Sequence, residues 1–246
     1  MPVVTSLRRT ALVAGLLYLA TFVAGIPPSF LYGPVLDDPG AVLTAGNDGQ
    51  ILWGVFLDLC TGMAGIGTAV ALFSVVKRQH EGAALGFVTT RVIEGAMLFI
   101  AALSMLTLVS VRQTAASSGD PAMLTAIGGT LVDVRTGAHI LGPGLMPAFN
   151  ACLLGYLMLR SGLVPRWMPI LGLIGAPLLF SSSLGTLFGV NDPMSVWTGV
   201  ATIPIFVWEL SIGLYMTFKG FRPNAPLLSE PPPDPYPAVR SVPAGA

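Results

Sequence analysis

Six polar residues stand in stretches that are otherwise apolar, and their types could do chemistry. Asp58, Arg91, Glu94 and Glu209 can carry charge, His139 can carry a proton or hold a ligand, and Asn150 can donate and accept hydrogen bonds. A charge at the centre of a membrane helix costs about 2.5–3.5 kcal/mol on insertion scales, so four unpaired ones cost on the order of 10 kcal/mol. That is comparable with the whole stability of a typical domain. These groups therefore have to pair, meet water or bind protons. Arg91 and Glu94 are three residues apart, on one face of a helix. Two glutamates sharing one arginine leave one carboxylate over, and that carboxylate has to hold a proton or a cation.

Other chemistry is missing from the sequence. Cys60 and Cys152 stand apart, with neither metal-ligand spacing nor a disulfide framework. His80 and His139 form no His-x-x-x-His pair, and no phosphate loop or nucleophile turn occurs. Nothing points to a cofactor, a metal or a catalytic residue, so an intramembrane enzyme ranks last among the functional readings. Zero net charge gives no basic field for a nucleic-acid partner.

The elements that position the polar residues follow from composition. Of 246 residues, 53% are hydrophobic and 10% charged, and the mean hydropathy is +0.77. Soluble domains carry about 25% charged residues. Six segments, 10–33, 50–76, 84–111, 136–159, 167–189 and 196–218, meet the requirement of about 20 apolar residues to cross about 30 Å of hydrocarbon. The sequence thus predicts an all-α, polytopic bundle of six transmembrane helices over residues 1–222. Residues 223–246 carry eight prolines and read as a disordered, Pro-rich cytoplasmic tail. Arg8 and Arg9 before the first apolar run resemble a secretory signal, but no Ala-x-Ala site follows and the run continues past Pro27 and Pro28, which predicts a retained helix.

Basic residues set the orientation. With the N-terminus inside, nine of the twelve basic residues face the cytoplasm, Arg112 and Arg135 face outwards, and Arg91 lies in the membrane. Both termini are therefore expected in the cytoplasm of a cell (inner) membrane. In the outer loop between the third and fourth spans, Asp120-Pro121 reads as a helix start, and Gly128-Gly129 is expected to break that short surface helix before the fourth span.

Depth decides which polar groups can meet. Glu94, Asn150 and Glu209 each lie about nine or ten residues from the inner end of their spans, so at about 1.5 Å per residue they are nearly level. Arg91 lies one turn closer to the cytoplasm. One inner layer of Arg91, Glu94, Asn150 and Glu209 is expected. Asp58 and His139 are expected to pair in an outer layer, with Asp133 and Arg135 just above. The fourth span contains "HILGPGLMPAFN", where Pro143 and Pro147 remove two backbone donors. Broken helices of this kind line ligand sites in transporters. A 4-3-4 spacing places His139, Pro143, Met146 and Asn150 on one expected face.

Two readings of the inner layer stay open. In the first, a static Arg91–Glu209 tie serves packing in an accessory or structural membrane protein. In the second, Glu94 and Glu209 share a proton, or hold a cation, in a small-molecule or proton-coupled transporter. Val-x-Glu at 92–94 and 207–209, in the third span of each half, hints at an inverted repeat. Beyond the lipid bilayer, a membrane-protein partner or a second copy is an open possibility.

The stretches "RRTALVAGLLYLA", "RVIEG", "SGLVPRWMPILG" and "WELSIGLYMTFKGF" resemble a family of bacterial integral membrane proteins known as domain of unknown function 4386. The likeness extends over about residues 8–222. It implies a six-span inner-membrane protein and brings no activity or site residue with it.

Overall fold

The computed structural model describes residues 2–37, 48–115 and 120–229. Prolines, glycines and caps punctuate an otherwise continuous apolar helical sequence. Helix α1 spans Pro2–Gly25 and stops before Pro27-Pro28, where proline removes backbone donors and crowds the preceding turn. Two short helices follow, α2 (Pro27–Leu31) and α3 (Gly33–Asp37), so the expected first span breaks near its outer end. Then come α4 (Asp48–Val76), α5 (Glu81–Ala115) and α6 (Pro121–His139). A π turn over Ile140–Gly144 joins α6 to α7 (Met146–Ser161). Helices α8 (Trp167–Leu187), α9 (Val196–Phe218) and the one-turn α10 (Pro226–Ser229) complete the order.

Local chemistry explains several of these boundaries. The Asp120 side chain accepts from the Ala122 N–H at 3.0 Å and caps α6, with Pro121 in the first helical position. Ser195 caps α9 in the same way through the Thr198 N–H. Gly162 closes α7 with φ of 66°, a left-handed conformation that glycine adopts without a Cβ penalty. The break expected at Gly128-Gly129 does not occur: α6 runs through both residues. A glycine costs about 1 kcal/mol in a helix interior, and here Gly128 is buried where α6 packs on α5.

Six helices are long and apolar enough to cross a membrane, the fourth being the composite Pro121–Ser161. Large side chains such as Val23, Met63, Leu103 and Ile203 are exposed on their outer faces, as a bilayer environment requires. Each span packs against the next, and α9 returns to α1, closing a ring of six. The termini of this bundle lie at one end, called basic below because Arg8, Lys77, Arg160 and Lys219 gather there; the opposite end is called distal. Arg8 donates to the carbonyls of Met216 (3.0 Å) and Thr217 (2.9 Å), satisfying the open C-terminus of α9.

The interior differs between the two ends. Towards the basic end, Leu72, Phe87, Leu154, Met158, Trp208 and Met216 form part of one large buried core. Trp208 lies flat over Gly172, where an added Cβ would stand 2.8 Å from the indole ring. Towards the distal end, a smaller core of Tyr32, Ile51, Val55 and Met105, with Leu131 and Val132 of α6 packed against it, fills one side. The bundle also extends past the expected boundary at Arg222. The Arg222 N–H donates to the Leu163 carbonyl at 2.9 Å, and Ala225 and Leu227 are buried against the α7–α8 turn. The apolar residues of "PNAPLLS" thus belong to the packed body, not to a disordered tail. The remainder of that expected tail, 230–246, lies outside the described residues.

Candidate functional site

The inner layer assembles around Arg91. On α5, Arg91 and Glu94 face the same way, and Nη1 meets Glu94 Oε2 at 3.0 Å. Nη2 donates to Glu209 Oε1 on α9 at 2.6 Å and to the Tyr18 hydroxyl on α1 at 2.9 Å. From α7, the Asn150 amide donates to Glu94 Oε2 at 2.7 Å, and the Thr90 hydroxyl donates to Asn150 Oδ1 at 2.6 Å. The guanidinium also stands over the rings of Tyr18 and Phe87, 5.2 and 5.8 Å from their centroids. Arg91 is 4% exposed, and the two carboxylates balance its charge.

This layer brings together the four residues that depth counting selected. It adds two that the sequence reading missed, Tyr18 and Thr90. Tyr18 lies ten residues after Arg8, the same depth by the same count. A census of polar atoms, and not of charges alone, would have found it. Thr90 adjoins Arg91 and was hidden among the ordinary helix threonines that bond their own backbone.

The outer layer is built differently from expectation. Asp58 does not pair with His139; its carboxylate accepts from the Tyr32 hydroxyl at 2.9 Å. The proline break at the end of α1 turns Tyr32 back into the bundle, where it reaches Asp58 first. Arg135 stacks on the other side of that story, its guanidinium 4.5 Å from the Tyr32 ring centroid. His139 faces a cavity instead.

That cavity, of about 530 Å³, occupies the side of the distal half that the small core leaves open. Its wall on the fourth span carries Arg135, His139, Pro143 and Pro147. The expected face of His139, Pro143, Met146 and Asn150 therefore does not form as drawn. A π turn holds one residue more than an α turn, which moves Pro147 into line in place of Met146 and leaves Asn150 to bond Glu94. The carbonyl of Gly144 in this turn takes the Ser183 hydroxyl of α8 at 2.7 Å, one replacement for the donors the prolines remove.

The cavity runs from the distal α8–α9 loop, at Pro193 and Met194, down to Glu209. Its lip is fixed by Asn191, whose amide nitrogen bonds Thr198 Oγ1 at 2.9 Å and Ser182 Oγ at 3.2 Å. Phe22 and Phe206 meet edge to face, with centroids 5.2 Å apart, and behind them lies a second chamber of about 220 Å³. Arg91, Glu94 and Glu209 all line that chamber, and Glu209 lines both spaces. One Glu209 oxygen is held by Arg91; the carboxylate is therefore both a helix tie and the floor of an opening. Among the described residues, no group of three or more His, Cys, Asp or Glu side chains could hold a metal ion.

No curated protein and no solved structure matches the chain. The family model described as Domain of unknown function (DUF4386) matches residues 13–220, a stretch that runs from α1 to the end of α9 and includes every residue of the inner layer. The chain belongs to this family of proteins, and it is a multi-pass membrane protein with six membrane-spanning helices.

Proposed function

We propose that the protein is a small-molecule transporter in which a ligand in the distal cavity is coupled to a proton on the Arg91–Glu94–Glu209 layer. The observation that carries this reading is the one-sided opening. A cavity from the distal end has Glu209 as its floor, while at the basic end the interior is filled by side chains. The space there between α1 and α4 is an open groove, lined by Arg9, Val13 and Val70, that does not reach the layer. Two carboxylates share one guanidinium, so a proton can enter the layer at the carboxylate that water in the cavity reaches. Protonating Glu209 weakens its tie to Arg91, and that tie is what joins α9 to α5 at this depth. The same event loosens α9 along the edge of the cavity. A binding site at mid-depth beside a broken helix is the arrangement that alternating access uses. The basic end is cytoplasmic by the distribution of lysine and arginine, so the cavity opens outwards.

A second reading has a specific observation behind it. The 2.6 Å Arg91–Glu209 contact and the bonds from Tyr18 and Asn150 suit a latch that fixes helix packing in an accessory membrane protein. Such a latch requires no movement of the cavity wall.

Cysteine accessibility separates the two. In a Cys60→Ala, Cys152→Ala background, His139→Cys places a thiol on the cavity wall. The transport reading expects a membrane-impermeant maleimide to label it from the outer face, at a rate that changes with pH and ceases to change in Glu209→Gln. A rate independent of both pH and Glu209 would leave the latch.

A further inference from the structure

We infer that the distal cavity takes an elongated amphiphile whose single anionic group, a carboxylate, sulfonate or phosphate, is held by Arg135. The inference rests on reading the cavity as a ligand site and names the chemistry of its occupant.

Arg135 is 6% exposed and lines the cavity, yet among the described residues it has neither a hydrogen bond nor an ion pair; its buried Nε has no partner. The Nε of Arg91 is bare as well, but three arginines other than Arg135 find partners through their terminal nitrogens. Arg91 has two carboxylates and a hydroxyl, Arg8 has helix carbonyls, and Arg112 has Asp48 at 3.2 Å. Arg135 has only the ring of Tyr32 beneath it. Stacking fixes the plane of a guanidinium and uses none of its five N–H donors. Asp58 supplies a compensating charge through the Tyr32 hydroxyl without taking those donors. The result is an oriented fork of donors, dry on one face and open to a cavity on the other, and its natural complement is an oxyanion bound by two parallel hydrogen bonds.

The shape of the cavity sets the rest of the molecule. Arg135, His139, Pro143 and Pro147 recur every fourth residue down one wall, which spans about 18 Å at about 1.5 Å per residue. Below Arg135 the surface is mainly hydrocarbon, from Ile140, Pro143, Leu179, Ile205 and Phe206. The volume of about 530 Å³ falls within the roughly 300–1,000 Å³ typical of ligand sites. An inorganic anion or a short zwitterion would leave most of that length empty. A chain of apolar carbons with an anionic head satisfies both ends of the observation. The same head group exists on a free amphiphile and on a bilayer phospholipid.

The test uses the full-length protein in a neutral maltoside detergent, titrated calorimetrically with dodecanoate and with dodecanol. Dodecanoate is expected to bind at least tenfold more tightly than dodecanol. Arg135→Gln should abolish that preference, Arg135→Lys should keep part of it, and Arg166→Gln, at the basic end, should leave it unchanged. Thr136→Trp, which fills the cavity beside Arg135, should reduce binding of both probes and guards against a misfolded Arg135→Gln. Native mass spectrometry with phosphatidylglycerol added then assigns the source. Phospholipid retained by the wild type and lost from Arg135→Gln identifies a bilayer lipid, whereas dodecanoate adducts with no phospholipid identify a free amphiphile. Equal affinity for dodecanoate and dodecanol, or Arg135→Gln binding dodecanoate as the wild type does, overturns the inference. If dodecanoate binding depends on Arg135 while cavity labelling ignores Glu209 and pH, the transport reading falls and the ligand assignment stands. The reverse pair of results removes the ligand assignment alone.

Discussion

The two arginines buried in this bundle meet opposite circumstances. Arg91, in the half towards the termini, has a carboxylate on each side, a phenol and an amide-linked network spread over four helices. Arg135, in the distal half, has one aromatic ring and an open cavity. A buried charge tied to carboxylates on two helices holds those helices together, and one whose donors meet no carboxylate is available to something that comes from outside. The surrounding packing follows the same division, with the large core on the basic side of Arg91 and a half-filled one beside Arg135.

That contrast can be broken first at the arginines themselves. Arg91→Leu orphans two carboxylates, and removing one member of a buried ion pair costs roughly 3–5 kcal/mol. A chain of this size should then lose on the order of 10 °C in Tm, read by scanning fluorimetry in detergent. Arg135→Leu breaks no hydrogen bond, leaves Asp58 bonded to the Tyr32 hydroxyl, and should lower Tm by less than about 3 °C on the same scale. Equal losses would erase the distinction between the two halves.

Packing offers the next comparison. Gly172→Leu drives a side chain into the Trp208 ring, and overfilling a tight core typically costs about 1–3 kcal/mol. Thr136→Leu, on the cavity wall, should change stability by no more than about 0.5 kcal/mol. Urea or thermal unfolding of the pair measures the difference directly. A smaller effect is expected at the π turn. Ser183→Ala withdraws a hydroxyl from the Gly144 carbonyl and should cost about 1 kcal/mol, sharpening the case that α8 supports the broken fourth span. The smallest belongs to Arg8→Gln. It uncaps α9 at a partly exposed end and should shift Tm by only about 1–2 °C, consistent with the small worth of helix-end charges.

The inner half was the more legible in the sequence, for a physical reason. Charges in lipid-crossing helices are costly enough that they must converge, and helix rise converts residue counts into depth. Arg91, Glu94, Asn150 and Glu209 could therefore be grouped from the sequence alone. The distal half resisted the same counting because its backbone departs from straight α-helix at two places. The turn at Ile26–Pro28 carries Tyr32 back to Asp58, and the π turn shifts the fourth span by one residue. Each displaces a side chain from the face that regular spacing assigns, which is why the Asp58–His139 pair failed and the Arg135–Tyr32 stack went unseen. The end of the bundle was misplaced for a simpler reason: proline density in the tail outweighed Ala225, Leu227 and Leu228, whose burial depends on the α7–α8 turn they cover.

Glu209 belongs to both halves, and it gives the most direct measurement. Glu209→Gln keeps the shape of the side chain and an oxygen for Arg91, and removes the carboxylate from the cavity floor. Purified wild type and Glu209→Gln would be reconstituted into liposomes containing a pH-sensitive dye, and proton entry followed after an imposed pH step with dodecanoate outside. Liposomes without protein provide the passive rate. The account predicts entry above that rate for the wild type, return to the passive rate for Glu209→Gln, and Tm values within a few degrees of each other. Unchanged proton entry in Glu209→Gln, accompanied by a large loss of thermal stability, would contradict it and leave Glu209 as a structural tie.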